Sequence, residues 1–150
     1  MILKLAGIFL FISIATADPI PFKDCGSSGV TDVTLGLTNC SALPCTFHKN
    51  QNVTLNLKFT TTRQLNSLKN LVYGIIAGVK VPFPLPQADA CKNGVPCPVA
   101  ANTVVQEALS LVVLPEYPSI SLFVQFQVNA DNDEPVNDQF TNIKEKYSKE

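Results

Sequence analysis

Tryptophan is absent from this 150-residue chain, histidine and methionine occur once each, and only 15% of the residues carry a charge. Each shortage removes a class of function. One imidazole, His48 in the polar turn Phe47-His48-Lys49-Asn50, cannot furnish a histidine-rich metal site, and no serine or cysteine motif accompanies it as a nucleophile. The net charge of −1 leaves no basic field for nucleic acid. There is no GxSxG, no P-loop and no dinucleotide fingerprint, so neither an enzyme nor a cofactor is expected. The cluster Asp131, Asp133 and Glu134 lacks the glycine and terminal glutamate of a calcium loop and reads as a solvated turn beside Pro135.

What is present begins with a leader. Lys4 is followed by an apolar run from Leu5 to Ile14 and by Ala15-Thr16-Ala17, the small residues that signal peptidase requires. The run is too short to span a bilayer, so residues 1–17 are expected to be a cleaved signal peptide. Passage through an oxidising compartment fits five cysteines and two sequons, Asn39-Cys40-Ser41 and Asn52-Val53-Thr54. Asn52 is the stronger glycosylation candidate, because strand parity points it outward. Cys40 with Cys45 and Cys91 with Cys97 each close a short turn, across which the ~5.5 Å Cα separation of a disulfide is within reach. Cys25 is then the odd cysteine of the five.

Alternation of period two is strongest from Asn52 to Phe59, where Val53, Leu55, Leu57 and Phe59 share one face, and from Ile120 to Val128. Val30–Leu37, Leu71–Val81 and Val104–Val113 are further strand candidates. No long helical period occurs, and the spacing of Leu65, Leu68 and Leu71 is assigned to a loop. Strands punctuated by Pro, Gly and Asn predict an all-β sandwich. Pro82, Pro84 and Pro86 lack N–H donors, so the segment Val81–Pro86 is expected to leave the sheet and run along an edge or mouth. It is either a rigid loop over the core or the lip of a ligand pocket. The 46% hydrophobic content does not by itself separate a cavity between sheets from a filled core, the commoner outcome.

Five segments in order carry a resemblance: Phe22-Lys23-Asp24-Cys25-Gly26, the Asn39-Cys40 to Cys45 loop, Val79-Lys80-Val81-Pro82-Phe83-Pro84-Leu85-Pro86, the Cys91-Lys92-Asn93-Gly94 to Cys97-Pro98 loop, and Glu116-Tyr117-Pro118-Ser119-Ile120. Together, from about Pro19 to Pro135, the chain resembles the Niemann-Pick type C2 group of the ML lipid-recognition family. The resemblance implies an immunoglobulin-like β-sandwich holding a sterol or other single lipid in an apolar cavity. Its pocket-mouth residues would be Phe83, Val113 and Tyr117. It also implies a secreted or endolysosomal protein that hands its lipid to a membrane sterol transporter or a bilayer. Carriage of fatty acids or hydrophobic signals outside cells, innate-immune lipid recognition, and a cavity-free interaction module are the alternatives.

One departure stands out. In the family, the cysteine corresponding to Cys25 pairs with one in the last strand near position 138, where this chain has Asp138. From Asn137 onward the sequence is polar, with Phe140, Ile143 and Tyr147 at helical spacing. The domain is therefore expected to span residues 18–136, with residues 137–150 a divergent tail in place of the closing strand and the edge beside Ile120–Val128 left open.

Overall fold

The computed structural model describes residues 17–40 and 42–141. The leader, apart from Ala17, lies outside the described residues, as do Ser41, Ile143 and Tyr147. Among the described residues, eight strands form two antiparallel sheets. They are β1 (Lys23–Asp24), β2 (Val30–Leu37), β3 (Asn52–Thr61), β4 (Leu68–Ile76), β5 (Val79–Phe83), β6 (Val104–Val112), β7 (Phe123–Ala130) and β8 (Glu134–Thr141). The larger sheet runs β1-β8-β7-β4-β5 and the smaller β2-β3-β6. The molecule is the all-β sandwich that the alternation predicts, in the immunoglobulin-like form that the resemblance implies.

The pleat sends alternate residues to opposite faces, and the inward row of each strand builds the core. Val53, Leu55, Leu57 and Phe59 of β3 are all buried, facing Val124, Phe126 and Val128 of β7. Burying each such side chain contributes roughly 1.5–3 kcal/mol, an upper figure because unfolded chains are already partly compact. The wet faces carry Asn52 and Lys58 on β3 and Phe123 on β7, all exposed.

Three expectations are corrected. Leu71–Val81 is not one strand but two: β4 begins at Leu68, and the chain reverses at Ala77 (φ 49°) and Gly78 (φ 78°) to return as β5. Leu68 and Leu71 therefore belong to the sheet, while Leu65 forms a bridge with Val99. Second, the proline-rich segment does not leave the sheet at once. Val81, Pro82 and Phe83 pair with Gly74, Tyr73 and Val72, and the missing N–H of Pro82 is accommodated because β5 is the sheet's edge.

The third correction concerns the carboxyl-terminal segment. The strand thought missing is present. β8 pairs with β7 from Ala130↔Glu134 to Val124↔Thr141 and with β1 on its other side, through a register shift at Val128/Asn129. It covers the edge that polarity after Val136 seemed to open, and Phe140 sits in its ladder rather than on a helix. The sheet thus continues past residue 136, to Thr141. Ladder hydrogen bonds use the backbone, so a polar segment can pair wherever neighbouring strands present unmet N–H and C=O groups.

Both short bridges form, Cys40–Cys45 and Cys91–Cys97, each with a Cα separation of 5.4 Å. Cys25 takes part in neither; it is exposed just after β1, with its Sγ 3.9 Å from the Lys23 carbonyl.

Candidate functional site

At one end of the sandwich the sheets enclose a small apolar cavity. Its walls include Val53 and Leu55 of β3, Val72 of β4 and Val124 of β7; Phe83, Val113 and Tyr117 close its rim. The structure therefore brings together the three residues that the sequence marked, from three separate parts of the chain. Phe83 ends β5 just before Pro84. Val113 follows β6 and is held by backbone bonds at both ends, its N–H donating to Gln51 O at 2.9 Å and its carbonyl accepting from Asn50 N at 2.7 Å. Tyr117 is presented by a tight turn in which its N–H donates to Leu114 O at 3.1 Å. Its ring meets that of Phe83 edge to plane, with centroids 5.4 Å apart and planes at 69°. That geometry is favourable for two aromatic quadrupoles and narrows the rim.

The enclosed volume is about 60 Å³, no more than two water molecules occupy in the liquid. Pockets for lipid-sized ligands are ~300–1,000 Å³. In this conformation the space between the sheets is too small for a lipid, which enters only if they part.

Two contributors carry little sequence signal. Phe47, buried in the cavity wall two residues after the Cys40–Cys45 bridge, lies in a turn where periodicity says nothing. Gly74 faces inward on β4 directly under the Phe83 ring: a Cβ there would lie 2.7 Å from Phe83 Cε2. What reads in the sequence as a strand interruption is the space that seats the rim phenylalanine.

Deeper in the same interior lies a polar cluster. Glu107 is on the inward row of β6, between Val105 and Leu109, and is buried. Its Oε1 accepts from Asn70 Nδ2 at 2.6 Å across the sheets and from Asn93 Nδ2 at 3.1 Å. Burial raises the Glu107 carboxyl above its ordinary pKa, and the two amide bonds, from Asn93 and Asn70, only partly oppose that. Strict parity through Val105, Glu107, Leu109 and Leu111 was the signal that could have revealed it.

The remaining marked residues are elsewhere. Asn39 and Asn52 are exposed at the rim end of the smaller sheet, and His48 is an exposed turn residue. Asp131 caps the loop before β4, accepting from the N–H groups of Asn66 and Ser67, both at 3.0 Å. Among the described residues no group of three or more His, Cys, Asp or Glu side chains is placed to hold a metal.

Comparison with known proteins agrees with this architecture. The model of the ML domain matches residues 19–137. The chain is 37% identical over 133 residues to NPC intracellular cholesterol transporter 2 of Bos taurus, covering 88% of this chain and 89% of that protein. It is 32% identical over 132 residues to the ecdysteroid-regulated 16 kDa protein of Manduca sexta, covering 86% and 91%. The crystal structure of a Niemann-Pick type C2 protein from the Japanese carpenter ant superposes with a TM-score of 0.75 at 25% identity, over 84% of this chain and 99% of that one. With a family model spanning nearly the whole described domain and Niemann-Pick type C2 relatives matching over most of their length, the chain belongs to the ML domain family.

Proposed function

We propose that this protein is a lipid carrier that takes a sterol or another single lipid between its sheets and releases it, with no covalent chemistry. The observation that carries the reading is the apolar cavity closed by Phe83, Val113 and Tyr117 in a chain whose relatives include cholesterol transporters. Hydrocarbon burial supplies the affinity, so binding depends little on salt. The leader, the two bridges and the exposed sequon residues Asn39 and Asn52 support a secreted or endolysosomal-lumen protein, glycosylated at Asn52 in particular.

Hand-off to a bilayer or a membrane transporter is supported by the surface beside the rim. The β4–β5 hairpin carries Val79, 62% exposed, and Val81, 39% exposed, at the same end as the cavity, and Phe123 of β7 is exposed nearby. An apolar tip next to the exit lets the lipid leave without crossing water.

The test is titration of a fluorescent sterol and a fluorescent fatty acid against the wild type, Phe83→Ala and a Lys58→Ala control on the outer face of β3. Loss of the phenylalanine removes roughly 1.5–3 kcal/mol of apolar burial, which is about 10- to 100-fold in affinity. The carrier reading fails if neither probe binds the folded wild type, or if Phe83→Ala and Lys58→Ala bind alike.

A further inference from the structure

Asn70 is wholly buried, and its Oδ1 has no hydrogen-bond partner. An acceptor so placed costs its full desolvation, and native structures rarely tolerate one without a use. Exchanging the oxygen and nitrogen of the amide would only trade an orphan acceptor for an orphan donor. The Oε1 atom of Glu107 already takes both amide bonds that reach the carboxyl, from Asn70 and Asn93. A polar pair with unspent hydrogen-bonding capacity therefore sits in a largely apolar interior.

Its position relative to the cavity is set by the ladders. Val72 lines the cavity, and Asn70 is the next inward residue on the same strand, about 7 Å deeper. On the opposite sheet Leu55 lines the cavity, Leu57 is the next inward residue, and the β3–β6 register sets Glu107 beside Leu57. The sheets wall the cavity on two sides and the aromatic rim closes its outer end. A cavity that widens from 60 Å³ to lipid size without spilling into solvent grows inward, toward this pair.

We propose that Asn70 and Glu107 form a polar subsite at the inner end of the cavity that takes a hydroxyl group borne by the buried end of the lipid. The inference rests on the carrier reading. A hydroxyl is the group that fits: it donates to Asn70 Oδ1 or to the carboxyl, and being neutral it can travel with hydrocarbon. An ammonium or carboxylate would lose far more hydration on the same path. The subsite inverts the selectivity of a plain apolar cavity, which penalises a hydroxyl arriving without a partner.

The sign of that preference is the test. Hexadecanoic acid is compared with 16-hydroxyhexadecanoic acid, and cholesterol with 25-hydroxycholesterol, by calorimetry on delipidated full-length protein. The wild type should bind the hydroxylated member of at least one pair about tenfold more tightly, and Asn70→Leu combined with Glu107→Leu should reverse the preference. Should the double variant fail to fold, Asn70→Leu alone, which leaves the Asn93 bond to Glu107, replaces it. Binding of none of the four lipids overturns the carrier reading itself. Binding in which the plain lipids are preferred or equal overturns the subsite alone, as does a preference for the hydroxyl that survives loss of Asn70.

Discussion

Placing a methyl group under the rim phenylalanine tests the site through its packing. In Gly74→Ala the new Cβ would stand 2.7 Å from Phe83 Cε2, 3.1 Å from its Cζ and 3.4 Å from Leu122 Cδ1. The last distance is ordinary contact, so relief must come from the ring. Phe83 is only half-buried at the end of an edge strand and can swing outward, at the expense of its edge contact with Tyr117. Overpacking typically costs about 1–3 kcal/mol and a lost aromatic pair about 0.5–1.5. Against this, alanine narrows the unfolded ensemble by about 0.4–1 kcal/mol. The net expectation is destabilisation on the order of 1–2 kcal/mol, a fall in melting temperature of roughly 3–8 °C for a domain of this size. In a Phe83→Ala background there is no ring to displace, so the same glycine substitution should be neutral or stabilising. Thermal melts of the four proteins in the cycle give the coupling directly. An equal loss in both backgrounds would mean that Gly74 matters for its backbone and not for the ring above it.

Three further outcomes are expected. Because burial raises the Glu107 pKa, the folded protein keeps a proton that the unfolded chain releases above about pH 4.5, so stability should fall as pH rises from there through the raised value; melts across pH 4–8 should show this slope and Glu107→Gln should flatten it, whereas an unchanged slope assigns it to other groups. Val79→Asp, on the exposed hairpin tip, should slow lipid transfer between vesicles several-fold while leaving equilibrium binding intact, and equal transfer rates would remove the hairpin from the exit route. Continuing the β1–β8 register by one residue sets position 138 opposite Cys25, so Asp138→Cys should form a bridge closing a loop of roughly 110 residues and add on the order of 4 kcal/mol by the chain-entropy estimate; identical melts of the variant and the wild type without reductant would refute that pairing.

Some of this molecule was legible because one face of a strand is buried and the other is not. The residues of β3 and β7 alternate without exception over the stretches that were recognised, and both bridges were evident from the short turns they close. Other parts were hidden for physical reasons. The β4–β5 reversal uses Ala77 at positive φ where Asn-Gly would have announced a hairpin, and the strand on either side is apolar on both faces. β8 escaped because pairing between two neighbours satisfies its backbone whatever its side chains, and it contributes Val136 to the core without an alternating pattern. Phe83, Val113 and Tyr117 came from a resemblance to a family rather than from periodicity. Their convergence on one rim depends on which strands become neighbours, which no single segment encodes. Glu107 could have been read from the parity of β6 as a polar residue on an inward row, whereas Asn70 lay before the strand start expected at Leu71.

The end of the sandwich away from the rim is fastened quite differently. There the loop that carries the chain from the smaller sheet to the larger is tied down at several points: Leu65 and Val99 exchange backbone bonds of 2.9 and 2.8 Å, Asp131 takes the N–H groups of Asn66 and Ser67, and Arg63 reaches Glu134 at 2.9 Å and Asp131 at 3.7 Å. This end thus joins the two sheets through loop and side-chain ties, and could serve as the spring of a clothes-peg whose jaws are the aromatic rim. By simple leverage, small rotations about the tied end would become large displacements at the aromatic jaws. On the carrier reading, a lipid that wedged them apart would go in end-on and come out in reverse order, the part that entered last leaving first.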